Sequence, residues 1–219
     1  ILDPFSGDIL AMSSMPTFNP NNYFEYDIDS YKNRTITDSY EPGSTFKIVA
    51  LSQALESGKY SLSDSIDCEK GKHVLSNKKI LTDHEPHDKL ALLDIFAYSS
   101  NIGTSKLIDG FNNIEYYKMC KNFGFGSKTG LPFKSESSGT IRPIKNWSIT
   151  SKNYISIGQE VSTTSMQIAL AYCAIANGGY LIKPHIIKNI KNNNKVIYER
   201  KINPIRKIVS DKTTNTIID

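Results

Sequence analysis

Apolar positions recur at helical spacing in two long stretches of the 219-residue chain. In the first, Phe46, Val49, Ala50, Leu51, Ala54 and Leu55 predict a helix over 44–57, stopped by Gly58. In the second, 165–176 is a strongly apolar helix. Thr163 or Thr164 caps its start, and Asn177-Gly178-Gly179 ends it. Shorter helices are predicted over 90–98, 104–109 and 115–122, the last closed by Gly124. The ends of the chain follow a different rule. Residues 1–15 read as strand, turn and strand, with the turn at Asp3–Asp8 and the second strand at Ile9–Met15. Residues 180–190 and 195–201 read as a hairpin around Asn192-Asn193-Asn194. The segments 16–40, 59–88 and 124–153 lack periodicity and read as loops, with one short hairpin in the second. Strands at both ends and helices between them predict an α+β fold. Its terminal strands meet in one antiparallel sheet, with the helical region inserted.

Composition narrows the picture only slightly. The chain is 39% hydrophobic and 22% charged, as a globular domain is, and its net charge of +4 is mild. The basic residues are scattered apart from a thin cluster around Lys183–Arg206, without the dense basic stripe of a nucleic-acid surface. Nucleic acid is therefore not an expected partner. Cys68, Cys120 and Cys173 are too far apart for a zinc knuckle or a redox pair, and Cys173 falls on a core face. His84 and His87 flank Pro86, which disfavours a helical metal pair, so no metal or organic cofactor is expected. No run reaches the roughly 18 apolar residues of a membrane span. The chain opens inside an apolar run and ends on what looks like the middle of a helix. It is therefore read as residues 1–219 of a larger domain, lacking the start of the first strand and the strands that follow.

Chemistry enters at Ser44 and Lys47. A serine hydroxyl is a weak nucleophile until a base takes its proton. Spaced i, i+3 on the first helical turn, the two side chains share a face. Free backbone N–H groups and the helix dipole there favour a developing negative charge. Lys47 serves as a base only if its pKa is lowered. The pattern alone is weak. Ser76–Lys79 also fits it in a loop, serine is a common helix cap, and a first-turn lysine is usually just solvated.

The longer run Tyr40-Glu41-Pro42-Gly43-Ser44-Thr45-Phe46-Lys47 resembles the nucleophile motif of the penicillin-binding proteins, serine transpeptidases of bacterial cell-wall synthesis. Asn33-Arg34 and Thr37-Asp38 fit the same family. Ser99-Ser100-Asn101 matches its Ser-x-Asn motif, between two helices. The hairpin at Leu2–Met12, Phe123–Gly126 and Ser156–Gln159 extend the likeness over nearly the whole chain. It is nearest the class B enzymes and, through Ile80–His84, their cell-division type. Ser151-Lys152-Asn153 also fits Ser-x-Asn but is read as chance, away from a helix junction. Lys128-Thr129-Gly130 matches the family's third motif in letters. It follows a glycine-rich run and precedes Leu131-Pro132, so it reads as a turn rather than the site's edge strand. That strand is expected after the 180–201 hairpin. A fragment without it lacks a donor of the oxyanion hole, which costs about a hundredfold or more in rate, and is expected to be inactive.

The resemblance implies a β-lactamase/transpeptidase-like fold and a D,D-transpeptidase acting at the septum. Ser44 would attack the carbonyl between two terminal D-alanines of a peptidoglycan stem peptide. Lys47 would take its proton, Ser99 would relay a proton to the leaving amine, and Asn101 would orient the peptide and Lys47. β-Lactams would acylate Ser44. Other division proteins are implied partners through regions outside the fragment. The implied location is the periplasmic face of the inner membrane, with the anchor outside these residues. Two alternatives stay open. One is a serine β-lactamase or D,D-carboxypeptidase on the same fold, although Ser100 stands where class A β-lactamases carry Asp and no loop clearly supplies a deacylating Glu. The other is a non-catalytic penicillin-binding sensor or scaffold.

Overall fold

The computed structural model describes residues 1–202 and 204–219. The order of elements is α1 (Arg34–Thr37), α2 (Lys47–Glu56), β1 (Ser65–Asp67), β2 (Lys72–Val74), β3 (Ile80–Thr82), β4 (Lys89–Ala91), α3 (Leu92–Ala97), α4 (Asn101–Asp109), α5 (Asn113–Asn122), β5 (Thr140–Ile141), α6 (Ser151–Ser156), β6 (Val161–Ser162), α7 (Ser165–Ala176), β7 (Tyr180–Ile182), β8 (Asn189–Asn192), β9 (Lys195–Glu199), β10 (Pro204–Lys207) and α8 (Asp211–Ile218). The strands pair antiparallel as β1–β4, β2–β3, β5–β6, β7–β10 and β8–β9.

α2 is the centre of the molecule. Phe46, Ile48, Val49 and Ala50 enter one core with Phe123, Phe125, Leu170 and Ala174. Leu51 and Ala54 enter a second with Cys68, Leu81, Ile95 and Ile102. Each large side chain so buried contributes about 1.5–3 kcal/mol. A helix with core on both sides is a rigid mount for whatever stands at its start. α7 matches its expected span and is held by a capping box: Thr164 Oγ1 accepts from the Gln167 amide at 3.3 Å and Gln167 Oε1 from the Thr164 amide at 2.9 Å. Its early letters Thr-x-x-Gln carry that signal in sequence.

The expected 180–201 hairpin is only Asn189–Asn192 on Lys195–Glu199, because Tyr180–Ile182 pairs with β10 instead, and Arg34–Thr37 is helix inside the expected 16–40 loop. Four further expectations change. First, the N-terminal hairpin is a bridged turn rather than two strands. Leu2 bridges Ile9 and Asp8 bridges His185, but the amides of Leu10 and Ala11 both converge on the Ile1 carbonyl. That bulge ends the ladder, and Pro16 beyond it has no N–H to offer. The chain ends do meet, through Asp8 and His185, as bridges between two-stranded pairs rather than as one continuous sheet among the described residues. Second, 90–98 is not all helix, because Lys89–Ala91 pairs with β1 before α3 begins. Third, α4 starts at Asn101 rather than 104, because Ser100 caps it. Fourth, 124–153 is not all loop. Ser151, Lys152 and Asn153 form the first turn of α6, at a helix start rather than away from one. Asn153 Nδ2 donates to Ser105 Oγ at 2.8 Å and Asp109 Oδ1 at 2.9 Å, so this Ser-x-Asn fixes α6 to α4.

No helix among the described residues is long and apolar enough to cross a membrane. The three cysteines are unpaired and buried; Cys68 is 0% exposed, 3.5 Å from Ser100 Oγ.

Candidate active site at the start of helix α2

Ser44 is the second residue of a 3₁₀ turn, Gly43–Phe46, that runs directly into α2. Its side chain is exposed. At that position the backbone N–H has no acceptor within the helix. The positive end of the helix dipole falls on the same atoms.

A strap wraps the turn from behind. The Gly43 amide donates to the Gly158 carbonyl at 3.1 Å, and Tyr40 and Thr163 exchange two backbone hydrogen bonds. The Glu160 amide donates to Glu41 Oε1 at 2.9 Å, and Tyr172 Oη to the Thr45 carbonyl at 3.1 Å. Gly158 has φ +78°. A Cβ on it would stand 2.6 Å from the Gly43 nitrogen and 2.7 Å from its carbonyl carbon. Only glycine lets the strap reach the backbone beside Ser44.

Lys47 lies one residue past the turn and is 2% exposed. Its Nζ donates to the Ser99 carbonyl and to Ser99 Oγ, the latter at 2.9 Å; neither bond goes to Ser44. Burial lowers its pKa from 10.5 to about 8, and the charge of Asp83 opposes part of that shift. A neutral amine has two hydrogens and one lone pair. Both hydrogens are engaged on Ser99, so the lone pair remains to accept a proton.

Ser99 follows the C-terminal turn of α3, with its amide on Phe96 O at 3.1 Å and the Ser100 amide on Ile95 O at 2.9 Å. Its φ is +54°. Glycine usually fills this left-handed position, and a serine there costs about 1 kcal/mol. Gly103 lets α4 approach α3, since a Cβ there would lie 2.7 Å from Ile95 Cγ1. Asn101 opens α4 with its Nδ2 donating to the Thr82 carbonyl at 2.9 Å. The expected contact between Asn101 and Lys47 does not occur among the described hydrogen bonds; Ser99 holds the amine instead.

Asp83 is the member of this arrangement to which the sequence alone assigns no role. Its Oδ1 accepts the amides of Asn101 at 2.6 Å and Ile102 at 2.9 Å, and its Oδ2 accepts Ser100 Oγ–H at 2.6 Å. Ser100 Oγ in turn accepts the Gly103 amide at 2.9 Å. In sequence, the segment Ile80–His84 stands out only as a family likeness. A carboxylate that caps a helix from 18 residues away leaves no periodic signal.

Lys128-Thr129-Gly130 lies in no strand. The Thr129 amide donates to Glu136 Oε1 at 2.7 Å, and its hydroxyl binds the same oxygen. The threonine thus ties a loop to a buried carboxylate, as expected of a turn.

The penicillin binding protein transpeptidase domain family matches residues 1–219. The chain is 32% identical over 220 residues to the stage V sporulation protein D of Bacillus subtilis (strain 168), covering 99% of this chain and 34% of that protein. It is 30% identical over 249 residues to the peptidoglycan D,D-transpeptidase FtsI homolog of Mesostigma viride, covering 100% of this chain and 41% of that one. A crystal structure of penicillin binding protein 3 from Mycobacterium tuberculosis, complexed with aztreonam, superposes with a TM-score of 0.90 at 32% identity, over 99% of this chain and 48% of that chain. The chain thus spans between a third and a half of the length of these relatives.

Proposed function

The chain belongs to the penicillin-binding protein transpeptidase domain family, and from that premise we propose that it carries the nucleophile, base and proton relay of a peptidoglycan D,D-transpeptidase. The observation that carries this reading is the buried amine of Lys47, with both hydrogens of its neutral form directed at Ser99. Ser44 Oγ attacks the carbonyl between the two terminal D-alanines of a stem peptide, and its proton passes to the Lys47 lone pair. The negative oxygen that forms is favoured by the Ser44 N–H and the helix dipole. As the C–N bond breaks, a proton moves from Lys47 through the Ser99 hydroxyl to the departing D-alanine amine. An ester on Ser44 remains. The amine of a neighbouring stem peptide then attacks it, its proton goes to Lys47, and Ser44 leaves and regains a hydrogen. Asn101, anchored through Nδ2 on Thr82, keeps Oδ1 to accept from the donor peptide's amide.

By the same reading β-lactams acylate Ser44. The names of the relatives, FtsI homolog and stage V sporulation protein D, support a role in septal cell-wall synthesis. The proposed location is the outer face of the bacterial cytoplasmic membrane, with division proteins as partners through other regions of the parent protein. Residues 1–219 are proposed to form part of a longer transpeptidase domain whose third motif is a strand other than Lys128–Gly130.

The test is the fate of a fluorescent penicillin on the full-length protein. A one-to-one adduct that maps to the Ser44 peptide and persists through gel electrophoresis is expected. Because Lys47 must be neutral, its formation should rise with pH through about 8. Rapid turnover to hydrolysed penicillin would instead identify a β-lactamase, and an adduct on any other residue would remove Ser44 from its role.

A further inference from the structure

We infer that Asp83 is a positioning residue of this site: its carboxylate locks the Ser99–Asn101 turn that presents both Ser99 oxygens to Lys47. The inference rests on the transpeptidase reading for its functional consequence, and on geometry for its substance. Three donors from three consecutive residues, Ser100, Asn101 and Ile102, converge on one carboxylate. The residue just before it receives Asn101 Nδ2. The segment around Asp83 therefore fixes the turn by four hydrogen bonds, at the position where Ser99 holds a left-handed backbone that it would not adopt freely. Hydrogen bonds to a charged group are the stronger kind.

A helix cap alone needs one side-chain acceptor, and Ser100 already supplies it through the Gly103 amide. The carboxylate goes further by binding the hydroxyl of that cap, and so fixes the residue between the two site positions Ser99 and Asn101. Asp83 makes no ion pair with Lys47 among the described residues. Its charge nevertheless acts on the amine, opposing part of the effect of burial.

Without the carboxylate the Ser99 oxygens lose their fixed place opposite Lys47, and a misplacement near 1 Å costs about a hundredfold in rate. Without its charge the Lys47 amine releases its proton more readily, so the rise of acylation with pH begins lower. A merely structural cap would produce neither the second effect nor the first without a matching loss of fold.

The experiment compares full-length wild type, Asp83→Asn, Asp83→Ala and Ser44→Ala by their rates of acylation by a fluorescent penicillin between pH 6 and 10, alongside thermal melts. Asp83→Asn keeps the shape but turns an amide N–H toward the Ser100 hydroxyl, so it should melt a few degrees lower, and its acid limb should move down by about half a pH unit. Asp83→Ala should lower the high-pH plateau by about thirtyfold or more. The inference is overturned if the Asp83→Asn profile superimposes on wild type, or if folded Asp83→Ala stays within about threefold of the wild-type plateau. Should Asp83→Ala fail to fold, the Asp83→Asn profile decides. Failure of wild type itself to label, like Ser44→Ala, would sink the enzyme reading instead. In that event ¹³C NMR titration of Lys47 in wild type and Asp83→Asn still settles the role of the carboxylate, with equal midpoints overturning it.

Discussion

Lys47→Met is expected to lower acylation of Ser44 by about a thousandfold and at the same time to make the protein more stable at pH 7. The two effects share one cause. Lys47 is held in the seam between two cores with 2% of its surface exposed, and burial brings its pKa from 10.5 to about 8. At roughly 1.4 kcal/mol per pH unit, keeping the proton on this amine in the folded state costs on the order of 3 kcal/mol. Methionine has a similar length, no charge, and fills the same channel. It forfeits the two bonds to Ser99, but Ser99 is exposed and water replaces them. The net gain should be about 1–2 kcal/mol at pH 7.

Its pH dependence has a definite sign. Between pH 8 and 10.5 the unfolded chain holds a proton on Lys47 that the folded chain has released, so wild-type stability rises with pH across that window. The advantage of Lys47→Met should therefore shrink over the same window. Urea unfolding at pH 7 and pH 10 measures it. A variant less stable than wild type at pH 7, or one that still acylates within tenfold, would contradict the assignment of Lys47 as a buried base.

Gly158→Ala should cost about 3 kcal/mol and reduce labelling of Ser44 by about a hundredfold in whatever fraction folds. Two penalties add. The backbone at φ +78° is left-handed, and the new Cβ would overlap the Gly43 backbone. Gly58 separates them: its φ is +67° with nothing within 4 Å of a Cβ, so Gly58→Ala incurs only the backbone penalty of about 1 kcal/mol. Equal losses in the two variants, by urea titration and penicillin labelling, would show that the strap does not place the nucleophile.

Much of this arrangement is legible in the amino-acid sequence. α7 and α2 carry strong apolar periodicity with readable starts and stops, and both fall where the pattern puts them. The roles expected of Ser44, Lys47, Ser99 and Asn101 come from the family likeness rather than from that periodicity, which left Asn101 outside α4. The parts that are not legible are held by contacts distant in sequence. α6 is a six-residue helix without a periodic face, and the bonds from Asn153 to Ser105 and Asp109 secure it. α4 gains its extra turn from the Ser100 cap together with Asp83, which no local rule pairs with Asn101. The expected N-terminal strands fail because a ladder also needs partners in register, and the bulge at Ile1 removes them.

Cys68 adds a practical consequence. It sits fully enclosed beneath Ser100, and burial raises its thiol pKa, so the native thiol is both hidden and protonated. Lifting the Ser99–Asn101 turn away uncovers it to a trapping reagent. The rate at which that single sulfur is alkylated therefore clocks how often the site opens. That clock needs no substrate and should run faster in every variant that loosens the turn.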